Sequence, residues 1–241
     1  MFCHSCGAQV SSDLQFCPNC GQPLAPGAPL NAPPPLAPQP PLAPVVWTPP
    51  VGIKATPGRW IGAGWEIVKA DMLNLALMAV VVGALSSAVP IVLQGPLMVG
   101  FHLVLLKKMN NRPSEFGDLF KGFDFFVPSL VASLLIGLFT SLGVLACLVG
   151  ALVVGAMFKF TYLFILDKRM DFWPAMQASH AVVKNDYFGF TMFLLLIGLV
   201  NLLGALCCIV GVFVTMPVGI AAITVAYREI VGFEQRTLDT L

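Results

Sequence analysis

Four of the seven cysteines in this 241-residue chain fall within its first twenty residues, as Cys3-His4-Ser5-Cys6 and Cys17-Pro18-Asn19-Cys20. A two-residue spacer lets one tight turn aim both sulfurs at a single ion, and two such turns complete a tetrahedron. Gly7 and Gly21 follow the pairs directly and supply the permissive backbone that such turns need. Four soft thiolates with no open position read as a closed structural site for one zinc ion, held by Cys3, Cys6, Cys17 and Cys20, rather than as a catalytic one. Two disulfides or a redox pair are the competing readings, disfavoured because neither a secretory signal nor a βαβ pattern accompanies the cysteines. His4 reads as a solvated spacer. About twenty-four residues bury too little apolar surface to fold alone, so metal binding must supply most of the folding free energy.

The segment FCHSCGAQVSSDLQFCPNCGQPL resembles the short zinc-ribbon modules that begin many bacterial membrane proteins. The resemblance covers about a tenth of the chain and implies a ribbon over residues 1–24.

A second set of candidates lies in apolar sequence. Lys159 is the only charged residue inside a predicted span, eight positions before Asp167 and so ~12 Å from the inner boundary along an unbroken helix. No Asp or Glu shares the spans to neutralise it. At such a depth an ionisable residue marks a functional site by default, its counterpart an anionic headgroup, a carboxylate substrate or water; snorkelling to the interface is the competing reading. His102 corresponds, in a repeat described below, to Leu163, four residues after Lys159 and on the same helical face. Thr140 and Asn201 are equivalent positions on neighbouring spans and complete the expected polar lining, although interhelical hydrogen bonding is the commoner task of such residues.

The elements that must position these groups follow from composition. The chain is 57% hydrophobic and 10% charged, with a mean hydropathy of +0.85, which excludes an ordinary soluble protein. Lys and Arg number 13 against 12 Asp and Glu, so no global charge excess points to nucleic acid. Residues 25–56 turn to Pro/Ala/Leu repetition, a semi-rigid spacer that could extend up to ~100 Å in the polyproline conformation. A polyproline ligand is the weaker reading, because no basic residue flanks Pro33 to Pro44.

Three apolar blocks follow: Met72 to Leu106, Phe126 to Leu166 and Tyr187 to Tyr227. Each exceeds the ~20 residues of one span and reads as two, with turns at Gln94-Gly95-Pro96, Cys147 to Gly150 and Cys208 to Gly211. Six spans put the segments around Lys54/Arg59/Lys69, Lys107/Lys108/Arg112/Lys121, Lys168/Arg169/Lys184 and Arg228/Arg236 on one side. By the positive-inside rule that side is the cytoplasm, with both termini and the ribbon there; the ribbon's resemblance to bacterial modules implies that the membrane is a bacterial inner membrane.

Sliding the chain by sixty-one residues pairs LLIGLFTSLGVLACLVGALVV from Leu134 with LLIGLVNLLGALCCIVGVFVT from Leu195, identical at twelve of twenty-one positions. The same offset pairs Lys107 with Lys168, Met109 with Met170 and Pro113 with Pro174. The expected fold is therefore an all-α integral membrane protein of six transmembrane helices. They form three parallel units over 57–110, 111–171 and 172–233, each an interfacial amphipathic helix followed by a hairpin, with a tail over 234–241. Gly137, Gly143, Gly150, Gly198, Gly204 and Gly211 are read as sites of close helix packing. Cys147 and Cys208 are small apolar packers before they are a disulfide.

With a hairpin ending in AYREI and a basic, phenylalanine-rich loop, residues 57–233 are similar to two bacterial groups. These are the YciC-like inner-membrane family and the membrane domain of some glycerophosphodiester phosphodiesterases. The resemblance implies a fold and no reaction, for the phosphodiesterase catalytic domain has no counterpart in the sequence.

An enzyme is not expected: the sequence has no H-E-x-x-H, no paired intramembrane carboxylates, no G-x-S-x-G and no phosphate-cradling glycine loop. Nucleic acid is not an expected partner, since no Lys or Arg precedes Lys54. The expectation is a non-enzymatic protein, in contact with membrane lipids, that presents its zinc ribbon as a docking adaptor for a cytoplasmic protein, with lipid sensing as an added role. The alternative is a transporter of a small solute, anion or lipid, or a lipid-handling protein.

Overall fold

The computed structural model describes residues 3, 5–9, 16–21, 47–48, 50–146, 148–207 and 211–239. Helices make up 78% of these residues, and no strand occurs among them. The chain divides into two units, Met1–Val46 and Trp47–Leu241.

In the second unit the order is α1 (Pro57–Ala70), α2 (Met72–Ala88), α3 (Pro90–Met109), a 3₁₀ helix η1 (Phe116–Phe125), α4 (Phe126–Ala146), α5 (Leu148–Met157), α6 (Thr161–Lys168), α7 (Phe172–Val183), α8 (Tyr187–Cys207), α9 (Val212–Ile230) and α10 (Gln235–Asp239). Phe116–Leu145, Gly150–Lys168, Tyr187–Leu206 and Val212–Ile230 are long and apolar enough to cross a membrane. The pair α1 and α2, bent by 101°, makes a fifth if taken as one broken span. Helix α2 has 17 residues, and α3 carries Gln94, His102, Lys107 and Lys108. The expected six spans thus exceed those that length and apolarity alone identify.

Helix α9 is the axis of this unit, buried from Pro217 to Tyr227. Gly64 lets α1 lie directly on it: a Cβ there would come within 2.8 Å of the Ala222 amide nitrogen. One apolar cluster joins Phe160, just before α6, to Phe164, Phe193 and Tyr227 from α6, α8 and α9. Another joins Leu75, Met78, Phe101 and Val218 from α2, α3 and α9. By contrast, α4 and α8 turn Leu138, Leu142, Leu145, Leu199, Leu203 and Leu206 outward. An apolar surface of that extent suits acyl chains and not water.

Two expectations are corrected, one about the turn of the first hairpin and one about the amphipathic segment of the second unit. The hairpin turn falls at Val89, not at Gln94-Gly95-Pro96, and Pro96 lies within α3. Pro90 takes the first-turn position, where a missing N–H costs nothing, while Gly95 is spent on packing, its Cβ position only 2.3 Å from the Ser129 carbonyl oxygen of α4. The segment after Pro113 forms the 3₁₀ helix η1 because it presses on α3. Cβ atoms at Gly100 and Gly122 would sit 1.8 Å from Leu119 O and 2.0 Å from Pro96 O.

Among the glycines singled out in the repeat, Gly143 packs on Gly150 and Gly204 on Gly211 across the two later hairpin turns. Gly137 and Gly198 face open space and serve no close packing. Residues assigned to the linker also pack on the helices. Trp47 stacks edge-on against Phe164 at 4.8 Å, and the Ala55 amide donates to Asp186 Oδ2 at 3.1 Å. Pro33 to Pro44, His4, Cys147 and Cys208 lie outside the described residues.

Candidate functional site

The first candidate site is the cysteine cluster. Gly7 and Gly21 adopt φ of 71° and 73°, the left-handed turn that the knuckles require. Their amides close the turns by donating to Cys3 O at 2.9 Å and Cys17 O at 2.8 Å. The four sulfurs of Cys3, Cys6, Cys17 and Cys20 lie within 4.8 Å of one another. Cys3 Sγ is 3.5 Å from Cys20 Sγ and Cys6 Sγ is 3.6 Å from Cys17 Sγ. A regular tetrahedron of ~2.3 Å zinc–sulfur bonds has edges of ~3.8 Å, so the cluster fits zinc, while a disulfide needs ~2.05 Å. Backbone N–H groups of Ser5 and Cys6 hold the Cys3 thiol below its ordinary range. The Ala8 amide, followed by Cys20 and Asn19, brings Cys6 down to about 6. Thiolates stabilised in this way are ready ligands.

The second candidate site is a cavity of about 360 Å³ in the helical unit. Lys159, His102, Thr140 and Asn201, singled out from the sequence, all line it. Helices α3, α4, α8 and α9 converge there on the junction of α5 and α6. Lys159 does not sit on an unbroken helix: Phe158–Phe160 form a turn between α5 and α6, which corrects the depth counted along a continuous span. Ser179 of α7 fills the gap in the ladder. Its hydroxyl donates to Met157 O at 2.7 Å and accepts from the Phe160 amide at 3.1 Å. A side chain inserted into the i→i−4 ladder is a recognised cause of such breaks.

His102 is buried, its Nδ1 2.9 Å from Thr224 Oγ1. The single hydroxyl proton of Thr224 goes to Ile220 O at 2.9 Å, so Nδ1–H is the donor to Thr224 and Nε2 is left uncommitted among the described residues. Asn201 Nδ2 donates to Ile197 O at 3.0 Å, and Thr215 donates to Asn201 Oδ1 at 3.0 Å. The bond from Thr215 of α9 is the interhelical bonding weighed for Asn201 from sequence, and together with the bond inside α8 it fixes the amide at the cavity wall. Sequence reasoning missed Gln94 and Tyr162, which complete the polar lining. Gln94 had been assigned to a turn, and Tyr162 has no period-breaking signal.

A third polar assembly was also missed. Asp167 is fully buried at the end of α6. It accepts from Tyr227 Oη at 3.0 Å and from the Glu234 amide at 2.8 Å, and Lys168 Nζ lies 3.3 Å away. Other ion pairs join the same charged segments: Arg59 to Glu229 at 2.5 Å, Lys107 to Asp118 at 2.8 Å, and Lys108 to Asp71. The Lys108 ammonium holds the Asp71 carboxyl below the usual range. A larger cavity of about 580 Å³ lies beside that last pair, with Arg112 and Arg228 on its rim. Its charges belong to this polar end of the helices. His180 Nε2 shares a 2.6 Å hydrogen bond with Tyr187 Oη.

Among known proteins, residues 2–24 match the zinc-ribbon domain family. Comparison with curated proteins and with solved structures gives no match. Nothing in the comparisons supports the likeness of residues 57–233 to the YciC-like family or to the phosphodiesterase membrane domain. The chain is thus one that carries a zinc-binding ribbon together with apolar helices fit to cross a membrane.

Proposed function

We propose that this protein is a non-enzymatic, multi-pass inner-membrane protein whose zinc ribbon serves as a cytoplasmic docking adaptor. The observation that carries the reading is the closed cluster of Cys3, Cys6, Cys17 and Cys20. Four sulfurs satisfy the ion's coordination, so the metal builds a recognition surface and does no chemistry. The absence of Lys and Arg before Lys54 favours a protein partner over nucleic acid. Six spans in three units, with both termini cytoplasmic, agree with the charged segments that meet in ion pairs. The test is purification of the full chain and of a variant with all four cysteines replaced by serine, both in native lipid particles, followed by mass spectrometry. A partner that is lost with the cysteines, and lost and regained as zinc is chelated and restored, supports the adaptor. Identical partner profiles refute it.

One observation favours a second reading, a transporter or lipid-handling protein. The helical unit encloses a cavity with a lysine and a histidine on its wall. Solute flux in proteoliposomes tests that reading.

A further inference from the structure

Among the described residues, no carboxylate lines the cavity around Lys159. Its wall carries Lys159, His102, Gln94, Thr140, Asn201 and Tyr162, and no Asp or Glu is among its lining residues. Lys159 makes no hydrogen bond or ion pair among the described residues. The lysines elsewhere differ: Lys107, Lys108 and Lys168 are held in ion pairs, and Lys54 and Lys184 are exposed to solvent. A cation among apolar helices is costly unless an opposite charge or water meets it. Here the open volume next to it is large enough for a ligand to supply that charge.

The remainder of the wall says what kind of ligand. Met98, Ile136, Leu194, Ile220 and Ile223 give it an apolar side. At about 360 Å³ it lies at the small end of the ~300–1,000 Å³ usual for ligand sites. That is room for one charged group with a short stretch of hydrocarbon. Two glycines of the wall pack closely on α8: a Cβ at Gly155 would lie 3.1 Å from Leu194 Cδ2, and one at Gly219 2.8 Å from Ile197 Cγ2.

We infer that this cavity binds the oxyanion group, carboxylate or phosphate, of an amphiphilic molecule. Lys159 provides the countercharge, and the remaining amide N–H of Asn201 and the hydroxyl of Thr140 donate the hydrogen bonds, while the unprotonated Nε2 of His102 is an acceptor for a hydroxyl on the ligand. The inference deepens the second reading above and rests on it only in taking the cavity as a ligand site. Binding is measured without flux, so each can fail alone.

The experiment uses the full chain in nanodiscs of zwitterionic lipid. Thermal unfolding is followed with hexanoate, with inorganic phosphate and with matched chloride, and again in discs containing phosphatidic acid. The expected result is a saturable upward shift in Tm. A shift with hexanoate or phosphate identifies a free anion; a shift confined to phosphatidic acid discs identifies a headgroup. Lys159→Met weakens half-saturation by roughly ten- to a hundredfold, the worth of one charge-assisted hydrogen bond, while Lys159→Arg keeps most of it. Thr140→Phe fills the cavity and abolishes the shift, and decides the matter if Lys159→Met fails to fold. No shift beyond chloride with any probe overturns the inference, as does a shift unchanged in Lys159→Met or, where that variant does not fold, in Thr140→Phe.

Discussion

Tyr227, near the end of α9, donates its hydroxyl to the buried carboxylate of Asp167, sixty residues earlier at the end of α6. The same aspartate receives the Glu234 amide through its other oxygen, and Thr237 donates to its backbone carbonyl at 3.0 Å. One residue therefore ties α6, α9 and the carboxy-terminal segment together. Tyr227→Phe removes one of these bonds and is expected to cost about 1–3 kcal/mol, because a buried charged acceptor loses a donor. Asp167→Ala removes both side-chain bonds, leaving only that of Thr237 to the backbone carbonyl, and should also release residues 234–239 to proteases. Thermal unfolding and limited proteolysis in nanodiscs check both.

Zinc should be present at one ion per chain, and replacing any of Cys3, Cys6, Cys17 or Cys20 by serine should reduce it severely. Binding displaces thiol protons, so affinity falls as pH falls. With Cys6 held at about 6 and Cys3 also lowered, protons compete less at these two ligands, so zinc should be retained between pH 8 and 7 and lost progressively as the pH falls further. Elemental analysis and chelator competition across that range give the answer, and loss of zinc already at pH 7 would contradict the geometry.

Ser179→Ala leaves the Phe160 amide and the Met157 carbonyl without their partner at the helix break. A destabilisation of about 1–3 kcal/mol is expected, with Ser179→Thr recovering part of it. An unchanged melting curve for the alanine variant would mean that the break does not depend on the hydroxyl.

Gly100→Ala should be among the most damaging single changes, at about 3 kcal/mol or more, because backbone and not a movable side chain blocks the new methyl group. Gly137→Ala faces open space and should be neutral or slightly stabilising. Comparing the two melting temperatures separates packing from helix propensity.

The metal cluster was readable because its ligands lie close in sequence and geometry demands both the spacing and the glycines. His102, Lys159, Thr140 and Asn201 were also readable, since each is a polar exception in apolar sequence and the sixty-one-residue offset aligns two of them. Asp167 and Ser179 were not. Asp167 sits in a charged run that reads as a solvated loop, and its partners come from sixty to seventy residues away. Ser179 differs from an ordinary surface serine only because α7 lies across the break at Phe158–Phe160. The first hairpin misled for a related reason: Gly95 and Pro96 signal a turn locally, yet here Gly95 lets α3 press on α4.

The stitched break beside Lys159 divides one long rod into two levers. The lower lever, α6, is clamped through Asp167 to α9 and the carboxy-terminal segment. The upper lever, α5, is short, apolar and laid against α8 at Gly155. Two hydrogen bonds to a single hydroxyl hold them together. The wall of the cavity thus contains the seam between the two, and its lysine stands on that seam.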